Sequence, residues 1–179
     1  NEMPEKNADE ILALLSELDG VMRKRNVQGS ILVVGGAAVA LQTNGHRVTT
    51  DIDALFDDSV DFTKCIQMVA DKHGFEDNWL NNTVKSMAIY FRSDESPKTV
   101  FAGANLTAEI SSPEYVIALK VIAGRPQDIM DIITLSKEFS LDADAIRNAV
   151  TKYFRAPIEN AQGGSILITL EKIEELLGD

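Results

Sequence analysis

Two aspartates separated by one residue are the feature of this chain that best fits a chemical role. Asp51 and Asp53 lie in the stretch 51–56, whose composition predicts a strand. Because side chains of a strand alternate between its two faces, both carboxylates are expected on the same face. Two adjacent carboxylates repel each other unless a cation lies between them. The pair therefore predicts a site for a divalent metal ion, although two solvated surface acids are the alternative.

A glycine pair precedes these aspartates along the chain. The apolar, β-branched run 31–34 predicts a buried strand, Gly35 and Gly36 predict a turn, and residues 37–42 predict a short helix. Glycines allow the backbone to turn tightly and to approach a ligand closely. Taken alone, the pair fits an ordinary turn equally well.

The remaining pattern predicts alternating elements followed by helices alone. Two further strands are expected at 99–102 and 106–110, and the region 76–90 fits neither a helix nor a strand pattern. Helices are expected at about 8–26, 61–73, 112–123, 127–138, 142–154 and 165–177. We therefore predict an α/β (mixed α+β) fold, with a small mixed sheet and flanking helices in residues 1–111. A helical C-terminal part, residues 112–179, is expected to pack on this core.

Composition excludes several classes of protein. A net charge of −11 argues against a broad electrostatic surface for nucleic acid or anionic membrane, though not against a locally basic groove. Cys65 is the single cysteine, so the chain forms no internal disulfide and no thiolate zinc site. No apolar run approaches the roughly 18 to 20 residues of a membrane helix, and no secretory signal is visible. A soluble cytoplasmic protein is expected.

The motifs resemble a known family. The glycine turn, Arg47 and the stretch Thr50-Asp51-Ile52-Asp53 are similar to the signature of the DNA polymerase β-like nucleotidyltransferases. More closely, they resemble the small bacterial branch that includes AbiEii-type toxins. The resemblance spans about residues 31 to 135. Its second block comprises Ser112-Pro113-Glu114-Tyr115, Lys120, Arg125, Asp128 and Asp131.

The resemblance implies a metal-dependent reaction. A nucleoside triphosphate such as ATP is attacked at its α-phosphate, and two Mg²⁺ ions about 3.5 to 4 Å apart stabilise the attacking and leaving oxygens. Asp51 and Asp53 would hold the metals, and one of them or Glu109 would help to deprotonate the acceptor. Glu109 is the candidate third ligand because alternation in 106–110 places it opposite the core face. The family more often has aspartate at this position. A solvated surface acid is an equally good interpretation of Glu109.

The resemblance also implies phosphate contacts. The backbone amides at Gly35 and Gly36 would face the phosphates, without the hydroxyl that many relatives carry at the second position. Arg47 and Lys120 would supply positive charge. Lys120 lies on a predicted helix that is apolar nearly all round, so its ammonium needs an anion or must reach water.

Two pairings compete with nucleotide binding in the second block. Lys120 fits a salt bridge to Glu109 or Asp128 as an alternative to a triphosphate. Asp128 is a further candidate nucleotide-binding residue. A salt bridge to Arg125 explains Asp128 and Asp131 at least as well, because these two acids share a helix face.

The predicted function is Mg²⁺-dependent transfer of a nucleotide from a nucleoside triphosphate to an acceptor, which is an RNA end, a protein or a small molecule. A role as the toxin of a toxin–antitoxin or phage-defence system, with an antitoxin as partner, is a further prediction from the resemblance. The alternative is a non-catalytic nucleotide-binding or regulatory protein that retains the fold. The sequence leaves the acceptor and the base preference open.

Overall fold

The structure, a computed structural model, describes residues 3–158 and 161–178. The chain divides into two compact units. The first consists of Asn1–Lys85 and Pro97–Ser111, and the second of Ser86–Ser96 and Ser112–Asp179. Among the described residues, no helix has both the length and the apolar character needed to cross a membrane.

A mixed sheet of five strands forms the centre of the first unit. Its order is β3-β2-β1-β5-β4, where β1 is parallel to β5 and antiparallel to β2, β3 is parallel to β2, and β4 is antiparallel to β5. This arrangement, together with the helices, confirms the predicted mixed α/β class. The strands are β1 (Gly29–Val33), β2 (Ile52–Leu55), β3 (Leu80–Asn81), β4 (Lys98–Ala102) and β5 (Leu106–Ile110).

The two faces of this sheet have different chemistry. On one face, buried apolar residues pack in the core with the inward sides of α1 (Ala8–Lys24) and α3 (Val60–His73). The other face, called the polar face below, carries the alternate residues of the same strands. The buried core-face residues are Ile31, Val33, Ile52, Ala54, Leu80, Leu106, Ala108 and Ile110. The polar-face residues include Ser30, Leu32, Asp53, Leu55, Asn81, Thr107 and Glu109.

The region 76–90, which the sequence left unassigned, contains three very short elements. A 3₁₀ helix spans Asp77–Trp79, β3 follows directly, and α4 is Lys85–Ala88. Trp79 is fully buried and its indole N–H donates to the carbonyl of Ile66 at 2.9 Å. A strand of two residues is too short to show alternation, which explains why the pattern predicted nothing here.

The second unit is helical. It contains α5 (Pro113–Ala123), α6 (Pro126–Glu138), α7 (Ala143–Tyr153) and α8 (Ala161–Leu177). α8 begins earlier than the predicted residue 165, because two glycines at 163 and 164, poor helix formers, obscured its start in the sequence.

Local capping signals explain where these helices begin and end. The hydroxyl of Ser112 accepts the N–H of Tyr115 at the start of α5, and the carboxylate of Asp142 accepts the N–H of Ala145 at the start of α7. Gly124 ends α5 in the left-handed conformation at φ +63°.

Candidate active site

Asp51 and Asp53 lie at the start of β2 in the first unit. Ile52 and Ala54 are fully buried on the core face, whereas both aspartates are half-buried. The backbone N–H of Val34 donates to the carbonyl of Asp53 at 2.9 Å, which extends the pairing of β1 with β2 up to the glycine turn. The two carboxylates therefore emerge beside the end of β1, where α2 (Gly35–Gln42) begins.

The carboxylate of Asp53 lies directly against Gly35. Gly35 has φ +62°, in the left-handed region, and a Cβ atom built on it would lie 3.1 Å from Oδ2 of Asp53. Any larger residue would be strained in this conformation and would crowd the acid. The glycine thus allows a carboxylate and the start of a helix to be immediate neighbours.

Arg47 lies against Gly36 in the first turn of α2. A Cβ atom built on Gly36 would lie 2.6 Å from Nη2 of Arg47, and Nη1 donates to the carbonyl of Val48. Among the described residues, no side chain caps the start of α2, whose N-cap is Val34. Backbone amides at a helix start and a guanidinium both favour anions. The positive end of this site is therefore next to the acidic pair.

A buried lysine holds the backbone that leads into the acidic pair. Lys6 is 2% exposed, and its ammonium donates to the carbonyls of Pro4, at 3.0 Å, and Thr50. Burial lowers the pKa of Lys6, while the charge of Asp51 acts in the opposite direction. The hydroxyl of Thr49 donates to the carbonyl of Asp51 at 2.9 Å. These bonds hold the backbone of Asp51 directly before β2.

Glu109 does not join the two aspartates. It pairs with Leu32 of β1, which in turn pairs with Leu55 of β2, so Glu109 lies two strands from β2. At the usual spacing between strands this is about 10 Å. Among the described residues, no three acidic, histidine or cysteine side chains form a group that could hold a metal. The structure therefore brings together Asp51 and Asp53, with Gly35, Gly36 and Arg47 beside them, and leaves Glu109 apart.

Glu109 instead lines a cavity of about 790 Å³ in the first unit. Leu32 and Leu55, which share the polar face with Glu109, belong to the same wall. Leu55 is two residues beyond Asp53 on β2, so the cavity begins about 7 Å along the strand from the acidic pair. Charged side chains of Asp57 and Lys85 also line it.

Lys120 and Asp128 lie in the second unit and form a buried ion-pair cluster there. The ammonium of Lys120 is 3.2 Å from Oδ1 of Asp128 and 2.8 Å from Oδ2 of Asp131. Nε of Arg125 donates to Oδ2 of Asp128 at 2.7 Å, and the amide of Gln127 donates to Asp131 at 3.0 Å. The sequence offered ion pairing and nucleotide binding as alternatives for these residues. The structure shows ion pairs, of Lys120 with Asp128 and Asp131 and of Asp128 with Arg125. A nucleotide contact by either residue stays a prediction.

This cluster changes the titration of Asp128. Burial alone would raise the pKa of its carboxyl, but the hydrogen bond from Arg125 and the charge of Lys120 outweigh burial and lower the pKa below its ordinary value. Asp128 is therefore ionised throughout the neutral range.

Residues 9–175 match the family described as "nucleotidyltransferase of unknown function" (DUF6036). The chain belongs to this family. The match covers nearly the whole chain, with parts of both units, and it includes Asp51, Asp53, Glu109, Lys120 and Asp128. Lys6 lies before the matched range. It supports the broad assignment as a nucleotidyltransferase, and the narrower AbiEii-type branch stays a prediction.

Comparisons with individual proteins add few relatives. No curated protein matches the chain. One similar solved structure is that of an antigenic nucleotidyltransferase-like protein from Paracoccidioides brasiliensis, with 14% sequence identity, 83% of this chain and 88% of that chain covered, and a TM-score of 0.40.

Sequence analysis of this family member did not identify Lys6 and Asn81, which lie beside the site in the structure. Lys6 stands alone before α1, and its partner Thr50 is 44 positions further along the chain. Asn81 is paired with Asp53, and its amide nitrogen is 3.4 Å from Oδ2 of Asp51. Neither residue forms part of a motif, and Asn81 lies in the region that showed no pattern.

Proposed function

We propose that this chain is a Mg²⁺-dependent nucleotidyltransferase that transfers a nucleotide from a nucleoside triphosphate to an acceptor hydroxyl. The observation that carries the proposal is the contact between Asp53 and Gly35, which places an acid next to the start of α2. A metal-binding carboxylate and a phosphate-binding helix start must be neighbours for this chemistry, since the ions bridge protein and phosphates.

The donor set suits magnesium. Mg²⁺ prefers hard oxygen ligands and usually takes one or two carboxylates plus substrate phosphates. Asp51, directly before β2, and Asp53, within it, supply that number of carboxylates. When bound, the metal would neutralise charge on the phosphoryl group under attack. Glu109 remains in the proposal as a third ligand or as a base, although it lies two strands away.

The chain's own residues would hold the triphosphate and the acceptor. The amides of Gly35 and Gly36 and the guanidinium of Arg47 would bind phosphate oxygens. Lys120 and Asp128 are proposed as further nucleotide contacts on the basis of the resemblance alone. The cavity next to Leu55 offers room for the rest of a substrate. One of Asp51, Asp53 or Glu109 would accept the proton of the acceptor hydroxyl.

Transfer itself provides the test. The full chain would be incubated with Mg²⁺ and each of the four α-labelled triphosphates, together with RNA, protein and small-molecule acceptors. We expect label in one acceptor class and release of pyrophosphate, both abolished by Asp51→Asn with Asp53→Asn. Equal incorporation by wild type and by this double variant would contradict the proposal.

A second candidate is a non-catalytic nucleotide-binding protein. One observation favours it, namely that no third acid joins Asp51 and Asp53 among the described residues. Such a protein would bind labelled triphosphate and protect it, but would release no pyrophosphate in any acceptor mixture. Binding without turnover across the whole screen would favour this candidate over the first.

A role as a toxin with an antitoxin partner is proposed from the resemblance. Expression in bacteria should arrest growth, and Asp53→Ala should restore it if the transfer reaction causes the arrest. Harmless expression of the active wild-type chain without any partner would count against this role while leaving the chemistry intact.

A further inference from the structure

Asn81 is the polar residue that the sheet places next to Asp53. β3 is parallel to β2, with Leu80 opposite Ile52 and Asn81 opposite Asp53. Leu80 and Ile52 are both buried on the core face, so Asn81 and Asp53 share the polar face. Since adjacent strands lie about 4.8 Å apart, the side chain of Asn81 is within reach of the acidic pair.

The amide of Asn81 is held at both ends by its own loop. Its Oδ1 accepts the backbone N–H of Thr83 at 3.2 Å and the hydroxyl of Thr83 at 2.7 Å. Its Nδ2 donates to the carbonyl of Asn78 at 3.0 Å. Because a backbone N–H only donates and a carbonyl only accepts, these partners fix which end of the amide carries the nitrogen.

This fixed orientation directs an N–H donor at Asp51. Nδ2 of Asn81 is 3.4 Å from Oδ2 of Asp51. A donor on one oxygen restrains the carboxylate without neutralising its charge, so the acid keeps its capacity to bind a cation. Partners that orient metal ligands in this way are worth about 10- to 100-fold in metal affinity or activity.

We propose that Asn81 is a positioning residue that orients the Asp51 carboxylate for a divalent cation, and that it occupies the sheet position from which a third carboxylate would complete the metal site. The inference rests on the proposed function, since it takes Asp51 and Asp53 as the metal ligands. The neighbouring strand supplies an amide, where an acid would give the group of three that is missing among the described residues.

The proposal predicts that Asn81→Asp has opposite effects with and without metal. Without metal, the substitution removes the donor to Asp51 and adds a third negative charge beside two others, so the melting temperature falls. With metal, the new carboxylate becomes an additional oxygen ligand, so affinity rises. A residue with a merely structural role would lower both quantities together.

In the experiment the full chain is titrated with Mn²⁺, and binding is measured from the EPR signal of free Mn²⁺. Melting temperatures are measured with and without the ion. We expect Asn81→Ala to weaken Mn²⁺ binding by about tenfold or more. We expect Asn81→Asp to tighten binding by about tenfold while lowering the melting temperature of the metal-free protein.

Asn82→Asp is the matched control, because it adds the same charge one position further along. The amide of Asn82 donates to the carbonyl of Phe56 at 3.4 Å and not to either aspartate. It should change Mn²⁺ affinity less than about twofold. Unchanged affinity in Asn81→Ala, or equal tightening by Asn81→Asp and Asn82→Asp, would overturn the inference.

Asp53→Asn distinguishes failure of the inference about Asn81 from failure of the proposed function. If it abolishes Mn²⁺ binding while both Asn81 variants bind like wild type, the inference about Asn81 fails and the proposed function survives. If wild type binds no Mn²⁺ even with a nucleoside triphosphate present, the proposed function fails and the inference fails with it.

Discussion

The two units carry acids in different settings. In the second unit, Asp128 and Asp131 are each 2% exposed and both contact the ammonium of Lys120. In the first unit, Asp51 and Asp53 are half-buried beside a glycine turn and the start of a helix. Breaking a buried ion pair is costly in free energy. Part-exposed carboxylates, in contrast, are accessible to a metal ion and to phosphate ligands of that ion. Burial and partner chemistry therefore distinguish the two groups of acids, and they predict a larger contribution to stability from the buried cluster.

The same substitution in the two settings should have opposite consequences. Asp53→Asn should reduce nucleotide transfer by about a thousandfold or more, because charge stabilisation worth several kcal/mol is lost with the metal. Its free energy of unfolding should change by less than about 1 kcal/mol, as for most part-exposed sites. Asp128→Asn should instead cost about 2 kcal/mol of stability. Transfer assays and urea unfolding of both variants give the comparison, and a large stability loss in Asp53→Asn alone would break it.

Lys120→Met tests the buried cluster from its cationic side. The substitution leaves two buried carboxylates with less positive charge, so we expect a loss of about 3 to 5 kcal/mol in the free energy of unfolding. The control is Lys152→Met, which removes an exposed pair with Glu95 at 2.7 Å and should leave stability nearly unchanged. Urea unfolding measures both, and similar small losses would show that burial does not distinguish the cluster.

Gly35→Ala tests the close approach of Asp53 to the helix start. Both Gly35 and Gly74 have positive φ, +62° and +69°, so alanine at either should cost about 1 to 2 kcal/mol of stability. Only at Gly35 would the new Cβ meet the Asp53 carboxylate, since a Cβ on Gly74 has nothing within 4 Å. Transfer should fall about tenfold in Gly35→Ala and stay at the wild-type level in Gly74→Ala. Equal transfer activity in the two variants would show that Gly35 has no special role in the site.

Acid should lower the contribution of the buried cluster to the free energy of unfolding. Because the pKa of Asp128 is lowered in the folded state, its contribution to stability is fully present above the ordinary value of 3.8 and is lost as the pH falls through the folded-state pKa. One such group contributes a slope of at most about 1.4 kcal/mol per pH unit. Urea unfolding from about pH 5 to about pH 2 should show a shallower decline in Asp128→Asn than in wild type. Parallel curves would contradict this.

Local signals in the sequence predicted much of the fold. Ser112 and Asp142 mark helix starts because their side chains accept N–H groups three residues further along. Pro113 suits the first position of a helix, where no N–H donor is needed. The alternation around Ile52 and Ala54 predicted β2 because one face of that strand is fully buried. Such signals depend only on neighbouring residues, so they can be read without the structure.

Long-range pairing hid the rest of the site. Asn81 gains its position from the register of a two-residue strand with β2, and Lys6 gains its partners from the bridge between Lys6 and Thr49. No spacing in the sequence encodes either contact. The same holds for Glu109, whose side of the strand was predictable but whose distance from β2 depends on the strand order.

Anomalous diffraction from crystals soaked with Mn²⁺ and a non-hydrolysable nucleoside triphosphate would show whether Asp51 and Asp53 bind a metal ion beside the glycine turn. We expect an anomalous peak bonded to oxygens of both Asp51 and Asp53, with the triphosphate extending towards Gly35 and Gly36. A peak elsewhere in the molecule, or ordered nucleotide with no metal at this pair, would contradict it.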